Sequence, residues 1–173
     1  MKKTLAIILA LCVVFSFCAM PAYADNDFKL TMRLSHVFGP TEQLAISIQE
    51  AADNIREKTN GAIDIQVFHS SQLPTYKDGL EQVASGANFI SVEDPSYIAD
   101  YVPDFNVLVG PMMTSSSDEY EYLINTDTVK EMVKKLEADN IKVLATDFLS
   151  GYRFMKTNKE IYTPDDLQGM KIR

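Results

Sequence analysis

Two arginines near the end of the chain have the side chains best suited to hold an anion. Arg153 lies between Tyr152 and Phe154, and Arg173 ends the run Gly169-Met-Lys-Ile-Arg. A guanidinium presents a planar fork of N–H donors that binds a carboxylate through two parallel hydrogen bonds. Two arginines on neighbouring strand ends would therefore suit a carboxylate or a dicarboxylate. From the residues alone, the favoured alternative is that each arginine pairs with a structural Asp or Glu.

Two acids and two histidines are the next candidates for chemistry. Glu93 and Asp94 follow a predicted strand, and neighbouring carboxylates on a strand point to opposite faces, so they do not form an acid/base pair. His36 ends the first predicted strand, where it could reach a ligand, although a structural histidine with satisfied hydrogen bonds is favoured. His69 lies in a polar loop. The sequence lacks metal-ligand spacings, Gly-x-Ser-x-Gly and a Gly-rich phosphate loop, so it implies neither a metal nor a cofactor.

The elements that must position these side chains alternate between strand and helix. Apolar residues alternate over 29–36 and 63–67, which predicts two strands, and the short segment 88–92 is predicted as a third. Helical spacing over 41–61 and 76–86 predicts two helices, each closed by a glycine. Strands joined by helical crossovers predict an α/β fold with a mainly parallel sheet. Such a sheet binds ligands at the carboxyl ends of its strands.

The second half of the chain is predicted to continue with short helices and further strands. Ser116 and Glu119 have the spacing of a capping box, and a stripe from Val129 to Leu136 predicts another helix. The apolar run 141–148 predicts a central strand. Thr163, Pro164 and Gly169 predict a short helix with a clear start and stop, followed by a strand from Met170.

The amino terminus predicts export. Lys2 and Lys3 precede an apolar run, and Ala22-Tyr23-Ala24 is a small-x-small cleavage site, so residues 1–24 read as a signal peptide cleaved after Ala24. Both cysteines lie within it, so the mature chain would have neither disulfides nor thiolate metal sites. We expect no membrane insertion of the mature chain. The net charge of -8 argues against nucleic acid and anionic membrane surfaces as partners.

Three motifs near the carboxyl end resemble one family. Gly151-Tyr-Arg, Thr157-Asn158 and Thr163-Pro-Asp-Asp-Leu-Gln-Gly-Met-Lys-Ile-Arg173 resemble the extracytoplasmic solute-binding proteins of TRAP transporters, the dicarboxylate-binding DctP-type family. The resemblance runs from about Leu30 to Arg173 and covers roughly the first half of a family member. It implies a periplasmic-binding-protein-like fold of two domains that close on the substrate. Residues 25–147 would form the first domain, and residues 148–173 would begin the second.

The resemblance also implies roles for individual residues. Arg173 would form the salt bridge to the substrate carboxylate, and Arg153 would give a second contact. Asp94 would accept hydrogen bonds from substrate hydroxyls or water, and Asn158 would help to fix the orientation. Pro95 departs from the small residue that the family more often has after this acid.

The sequence therefore predicts a periplasmic, non-enzymatic binding protein that delivers a small organic acid to the membrane subunits of a TRAP transporter. One alternative is an exported hydrolase that uses Glu93 or Asp94. Another is an extracytoplasmic sensor domain, which would need a separate receptor. Ligand binding without turnover separates the first interpretation from the hydrolase, and neighbouring genes for membrane subunits separate it from the sensor.

Overall fold

A parallel sheet of three strands forms the centre of the first part of the chain. The computed structural model describes residues 28–149, 151 and 155–171. Strand β1 is Leu30–Ser35, β2 is Ile63–Phe68 and β3 is Phe89–Ser91, in the order β2-β1-β3. Both pairs are parallel, with Ser35 opposite Phe68 on one side and opposite Ser91 on the other. The predicted α/β class and mainly parallel sheet are confirmed.

Two amphipathic helices make the crossovers between these strands. Helix α1 spans Gln43–Lys58 and packs on β2 through a buried stripe of Ala45, Ile48 and Ala52. Its chain reverses at Gly61, where a φ of 76° needs a residue without a Cβ. Helix α2 spans Tyr76–Ala84 and packs on β3, with Leu80 buried. The spacing of apolar residues in the sequence predicted both helices.

A second cluster of buried side chains lies beyond the sheet. Helix α3, Pro95–Ile98, is one turn long and leads into a 3-10 helix at Pro103–Val109. Helices α4, Ser117–Ile124, and α5, Asp127–Lys135, follow, and a 3-10 turn at Leu136–Asp139 ends this region. Their inward-facing residues form one apolar core: Ala99, Val102, Phe105, Val129, Met132, Leu136 and Ile141.

Two of the predicted caps, at Ser116 and Thr163, are present. The Glu119 N–H donates to Ser116 Oγ at 3.1 Å, which caps α4 as the Ser-x-x-Glu pattern predicts. The Glu119 carboxylate accepts from the Ser115 N–H at 2.7 Å, one residue earlier than in the usual box. Thr163 and Asp166 form a capping box for a 3-10 helix at Pro164–Leu167.

The predicted strand at 141–148 is wrong. Residues 141–149 have no regular secondary structure. Ile141 is buried in the apolar core, whereas Leu144 is 72% exposed. An apolar run becomes a strand only when a neighbouring strand takes up its backbone N–H and C=O groups, and no strand in the described ranges pairs with this segment. The predicted strand from Met170 is also absent at Met170 and Lys171, while residues 172–173 lie outside the described part.

Candidate functional site

The carboxyl ends of the three strands meet at one edge of the sheet. β1 ends at Ser35 and is followed by His36, β2 is followed by His69, and β3 is followed by Glu93 and Asp94. Because all three strands are parallel, these side chains follow the strands at the same edge. This is the edge at which open α/β sheets bind ligands.

Backbone hydrogen bonds hold the loops of this edge together beyond the strand ends. The His36 N–H donates to the Phe68 carbonyl at 3.2 Å, and the Ser71 N–H donates to the His36 carbonyl at 3.0 Å. The Val92 N–H donates to the Ser35 carbonyl at 3.1 Å. The loops after β2 and β3 are thus both tied to the end of β1.

Glu93 is held inside this edge. Its Oε1 accepts hydrogen bonds from the Tyr76 N–H at 2.7 Å and from the Ser91 hydroxyl at 2.5 Å. Burial raises the pKa of the Glu93 carboxyl above its ordinary value, and these two hydrogen bonds oppose the rise. Glu93 therefore links the end of β3 to the first residue of α2.

Asp94 is exposed and has a different partner. Its Oδ1 accepts from the Ser96 N–H at 2.9 Å and caps the single turn of α3. The prediction that Glu93 and Asp94 do not act as one acid/base pair agrees with these separate contacts. The Glu93 carboxylate is hydrogen-bonded to the start of α2, and the Asp94 carboxylate is exposed to solvent at the carboxyl edge of the sheet.

His36 is fully buried at 0% exposure. Neither of its ring nitrogens has a hydrogen-bond partner among the described residues. Burial lowers the pKa of His36, with the charge of His69 acting in the same direction and Glu42 and the Phe38 backbone acting against it. The sequence favoured a histidine with satisfied hydrogen bonds, and the structure instead has an unsatisfied imidazole. A ligand would reach this ring only after its neighbours moved, so ligand contact by His36 stays a prediction.

The remaining predicted ligand residues are less defined. Asn158 is exposed in the segment 155–171. Arg153 and Arg173 lie outside the described residues, so their contacts with an anion stay predictions. Within the described ranges, no group of three acids, histidines or cysteines is arranged to hold a metal ion. No helix in that part of the chain is long and apolar enough to cross a membrane.

A pair of tyrosines at the same edge was not predicted from the sequence. The rings of Tyr76 and Tyr97 lie with their centroids 4.9 Å apart, and Tyr76 is 44% exposed. Tyr76 also has a φ of 58°, which residues with a side chain rarely adopt. In the sequence it reads only as one apolar position of a helix, so its left-handed backbone gave no signal.

A groove of about 460 Å³ lies between α4 and residues 144–149. Tyr120 lines it and donates a hydrogen bond from its hydroxyl to the Thr146 carbonyl at 3.3 Å. Burial raises the pKa of Tyr120, and the charges of Asp94 and Asp147 raise it further.

Comparison with known proteins supplies a family for this arrangement. The model of the DctP family, described as bacterial extracellular solute-binding protein, family 7, matches residues 34–173. The C4-dicarboxylate-binding periplasmic protein DctP of Rhodobacter capsulatus is 29% identical over 159 residues, which cover 90% of this chain and 46% of that protein. The chain thus spans about half the length of this curated relative.

Two solved structures have the same fold at higher identity. A TRAP periplasmic solute binding protein from Desulfovibrio salexigens, in complex with diglycerolphosphate, is 55% identical with a TM-score of 0.81, over 83% of this chain and 46% of that one. One from Fusobacterium nucleatum, with bound sn-glycerol-3-phosphate, is 37% identical with a TM-score of 0.79, over 82% of this chain and 46% of that one.

Proposed function

This chain belongs to family 7 of the bacterial extracellular solute-binding proteins, and we propose that the full-length protein captures a small organic acid and delivers it to a TRAP transporter. The observation that carries the proposal is the family match over residues 34–173, which includes the sheet edge and both arginines. The relative from Rhodobacter capsulatus, named as a C4-dicarboxylate-binding protein, supports a carboxylate as the ligand.

Four side chains would share the work of binding. Arg173 would clamp the carboxylate through its planar fork, and Arg153 would assist. Asp94 and Asn158 would fix the orientation of the ligand. The exposed carboxylate of Asp94 supports its part in this scheme, because it follows β3 at the carboxyl edge of the sheet, where open α/β sheets bind ligands. The roles of the two arginines rest on the family resemblance of the motifs around them.

The domain division and the route of the protein are also part of the proposal. Residues 1–24 would be removed on export to the periplasm, and residues 25–147 would form the first domain. Residues 148–173 would begin the second. The membrane subunits of the transporter would be the partner that receives the ligand.

A phosphate ester is a second candidate for the ligand. The two solved relatives described above, 55% and 37% identical, contain diglycerolphosphate and sn-glycerol-3-phosphate. The guanidinium of an arginine can bind either a phosphate or a carboxylate through two parallel hydrogen bonds, because both anions offer a pair of oxygens that matches its two N–H donors. The same residues, Arg173 and Arg153, would then hold the phosphate.

We propose that binding occurs without turnover. The separate partners of Glu93 and Asp94 support this, since neither carboxylate is arranged to activate the other. The hydrolase that the sequence left open would need one of them as a general base. The hydrolase alternative is therefore tested by the same experiment that identifies the ligand.

The experiment uses purified full-length protein and calorimetric titration with succinate, L-malate, sn-glycerol-3-phosphate and diglycerolphosphate. Proton NMR of each mixture after overnight incubation reports any conversion. Saturable binding of one compound without conversion is the expected result. Conversion that stops in an Asp94→Asn variant would favour the hydrolase, and absence of binding across carboxylates and phosphate esters would contradict the proposal.

A further inference from the structure

Glu93 joins two elements that are distant in the sequence. The Tyr76 N–H that it accepts is 17 positions earlier, at the start of α2, and the Ser91 hydroxyl is at the end of β3. Both hydrogen bonds go to the same oxygen, Oε1. The carboxylate is therefore a short bridge between a helix and a strand, inside the edge where the proposed ligand binds.

Helix α2 depends on this bridge for its cap. The first N–H groups of a helix have no partner within the helix and need an acceptor from outside. Thr75 occupies the cap position, but its side chain makes no cap hydrogen bond, and its hydroxyl donates instead to Ser71 Oγ at 3.4 Å. Glu93 supplies the acceptor from β3 while Tyr76 stays in its left-handed conformation.

Gly79 makes room for the bridge. A Cβ at this position would lie 2.4 Å from Ser91 Oγ and 3.2 Å from Glu93 Oε1. A side chain at 79 would therefore push α2 away from the hydrogen-bonded pair. The close approach of α2 to β3 and the half-buried carboxylate are two parts of the same packing arrangement.

Several side chains at the carboxyl edge of the sheet are linked to the elements that the Glu93 bridge joins. Asp94 comes directly after Glu93 and begins α3. The Tyr76 ring contacts the Tyr97 ring, and Lys77 forms an ion pair with Asp100 at 2.6 Å. The first turn of α2 and the turn of α3 are thus held side by side, and Glu93 is hydrogen-bonded to the first residue of α2.

We propose that Glu93 is a positioning residue for the ligand site. Its carboxylate fixes the first turn of α2 against β3 and so orients Asp94 and the Tyr76–Tyr97 pair without touching the ligand. The inference rests on the proposed function insofar as it names Asp94 as the residue that orients the ligand. Loss of the bridge would displace Asp94 and would weaken ligands with hydroxyls more than ligands without them.

The first test measures whether loss of the Glu93 carboxylate changes the surroundings of the first residues of α2 and α3. Amide resonances in nitrogen-15 NMR spectra of the full-length protein are compared for wild type, Glu93→Ala, Glu93→Gln and Met132→Ala. Glu93→Ala is expected to shift the amides of Tyr76, Ser96 and Tyr97, and Glu93→Gln is expected to restore most of the wild-type positions because its amide oxygen can accept the same bonds. Met132 lies in the other apolar core, so its variant controls for general loss of stability. Unchanged Tyr76 and Ser96 amides in Glu93→Ala would overturn the proposal.

The second test measures ligand discrimination by calorimetry. The probes are L-malate and succinate, which differ by one hydroxyl, and sn-glycerol-3-phosphate with methyl phosphate if only phosphates bind. We expect Glu93→Ala to lower the affinity ratio between the hydroxylated and plain ligands about tenfold, with Glu93→Gln close to wild type and Met132→Ala unchanged. An equal loss for both ligands, or Glu93→Gln no better than Glu93→Ala, would overturn the positioning role. Wild-type protein that binds no probe would instead contradict the proposed function, and the NMR result would still decide the role of the bridge.

Discussion

The carboxylates of Glu93 and Asp94 are adjacent in the chain but accept hydrogen bonds from different helices. Glu93 accepts from the first N–H of α2 at Tyr76, and Asp94 accepts from the Ser96 N–H in α3. The end of β3 therefore supports the starts of two helices, α2 through Glu93 and α3 through Asp94. Because the two acids have separate partners, a substitution at each of them has its own measurable effect.

Two substitutions of Asp94 separate its role in capping α3 from its proposed role in binding the ligand. Asparagine caps helices nearly as well as aspartate, so Asp94→Asn should change the free energy of unfolding by less than about 0.5 kcal/mol. Asp94→Ala loses the cap and should cost about 0.5–2 kcal/mol. Both variants should weaken a hydroxylated ligand. In Asp94→Asn the single amide oxygen is used by the cap and leaves only an NH2 donor for the ligand, and in Asp94→Ala no acceptor remains. Urea unfolding and calorimetry measure the two effects.

The matched control for Asp94 is Asp104→Asn, an exposed acid whose ion pair with Lys135 lies outside the predicted site. It should leave ligand affinity unchanged. If Asp94→Asn binds the ligand as tightly as wild type, Asp94 has no role in orientation.

Glu93 should make stability depend on pH in the acid range. Burial raises its pKa in the folded state above the ordinary value of 4.5. The stability that this group contributes is fully present below the unfolded pKa and is lost as the pH rises through the folded pKa. Glu93→Gln removes the titration, so its free energy of unfolding should fall less than that of wild type over this window. Urea unfolding at a series of pH values gives both curves, and parallel curves would contradict the prediction.

His36 should act in the opposite pH direction. Burial lowers its pKa in the folded state, so its contribution is present above the unfolded pKa of about 6.5 and is lost as the pH falls through the folded value. His36→Phe should make the protein less sensitive to acid between neutral pH and the folded pKa. The comparison variant is His69→Phe, which should lose only part of the acid sensitivity, because burial contributes more than the charge of His69 to the lowered pKa of His36. Equal acid sensitivity in wild type and His36→Phe would refute this assignment.

Gly79 should tolerate alanine only when Ser91 is also changed. The new Cβ would lie 2.4 Å from Ser91 Oγ, and crowding of this kind costs about 1–3 kcal/mol. Ser91→Ala removes that oxygen, so the double variant should be destabilised by less than the sum of the two single variants. A double-mutant cycle from urea unfolding measures the coupling. Additive losses would mean that Gly79 and Ser91 do not meet in the folded protein.

Local patterns in the sequence predicted most of the fold. The helical spacing of Ile48, Ala52 and Ile55 and the capping pattern of Ser116 and Glu119 each lie within a few residues, so both could be recognised from the sequence. The strand at 141–148 could not, because its formation depends on a partner strand and not on its own apolar residues.

The candidate site was harder to predict because its contacts are long-range. The hydrogen bond from the Tyr76 N–H to Glu93 spans 17 positions, and the sequence around neither residue indicates that the two are partners. Asp94 was proposed because it follows the third predicted strand and because the family resemblance implies an acid there. The unsatisfied ring of His36 depends on the side chains packed around it, which a strand pattern does not reveal.

The central claim is that Arg173 clamps the anion, and calorimetric titration of the full-length protein with its tightest-binding carboxylate or phosphate ester tests it most directly. Arg173→Ala should lose about 2–5 kcal/mol of binding free energy, because it leaves a desolvated anion without its partner. Arg173→Lys should recover only part of that loss, since a point charge does not reproduce the planar fork. Arg33→Ala, at an exposed arginine on β1, is the control and should bind like wild type. A dissociation constant that is unchanged in Arg173→Ala would contradict the account.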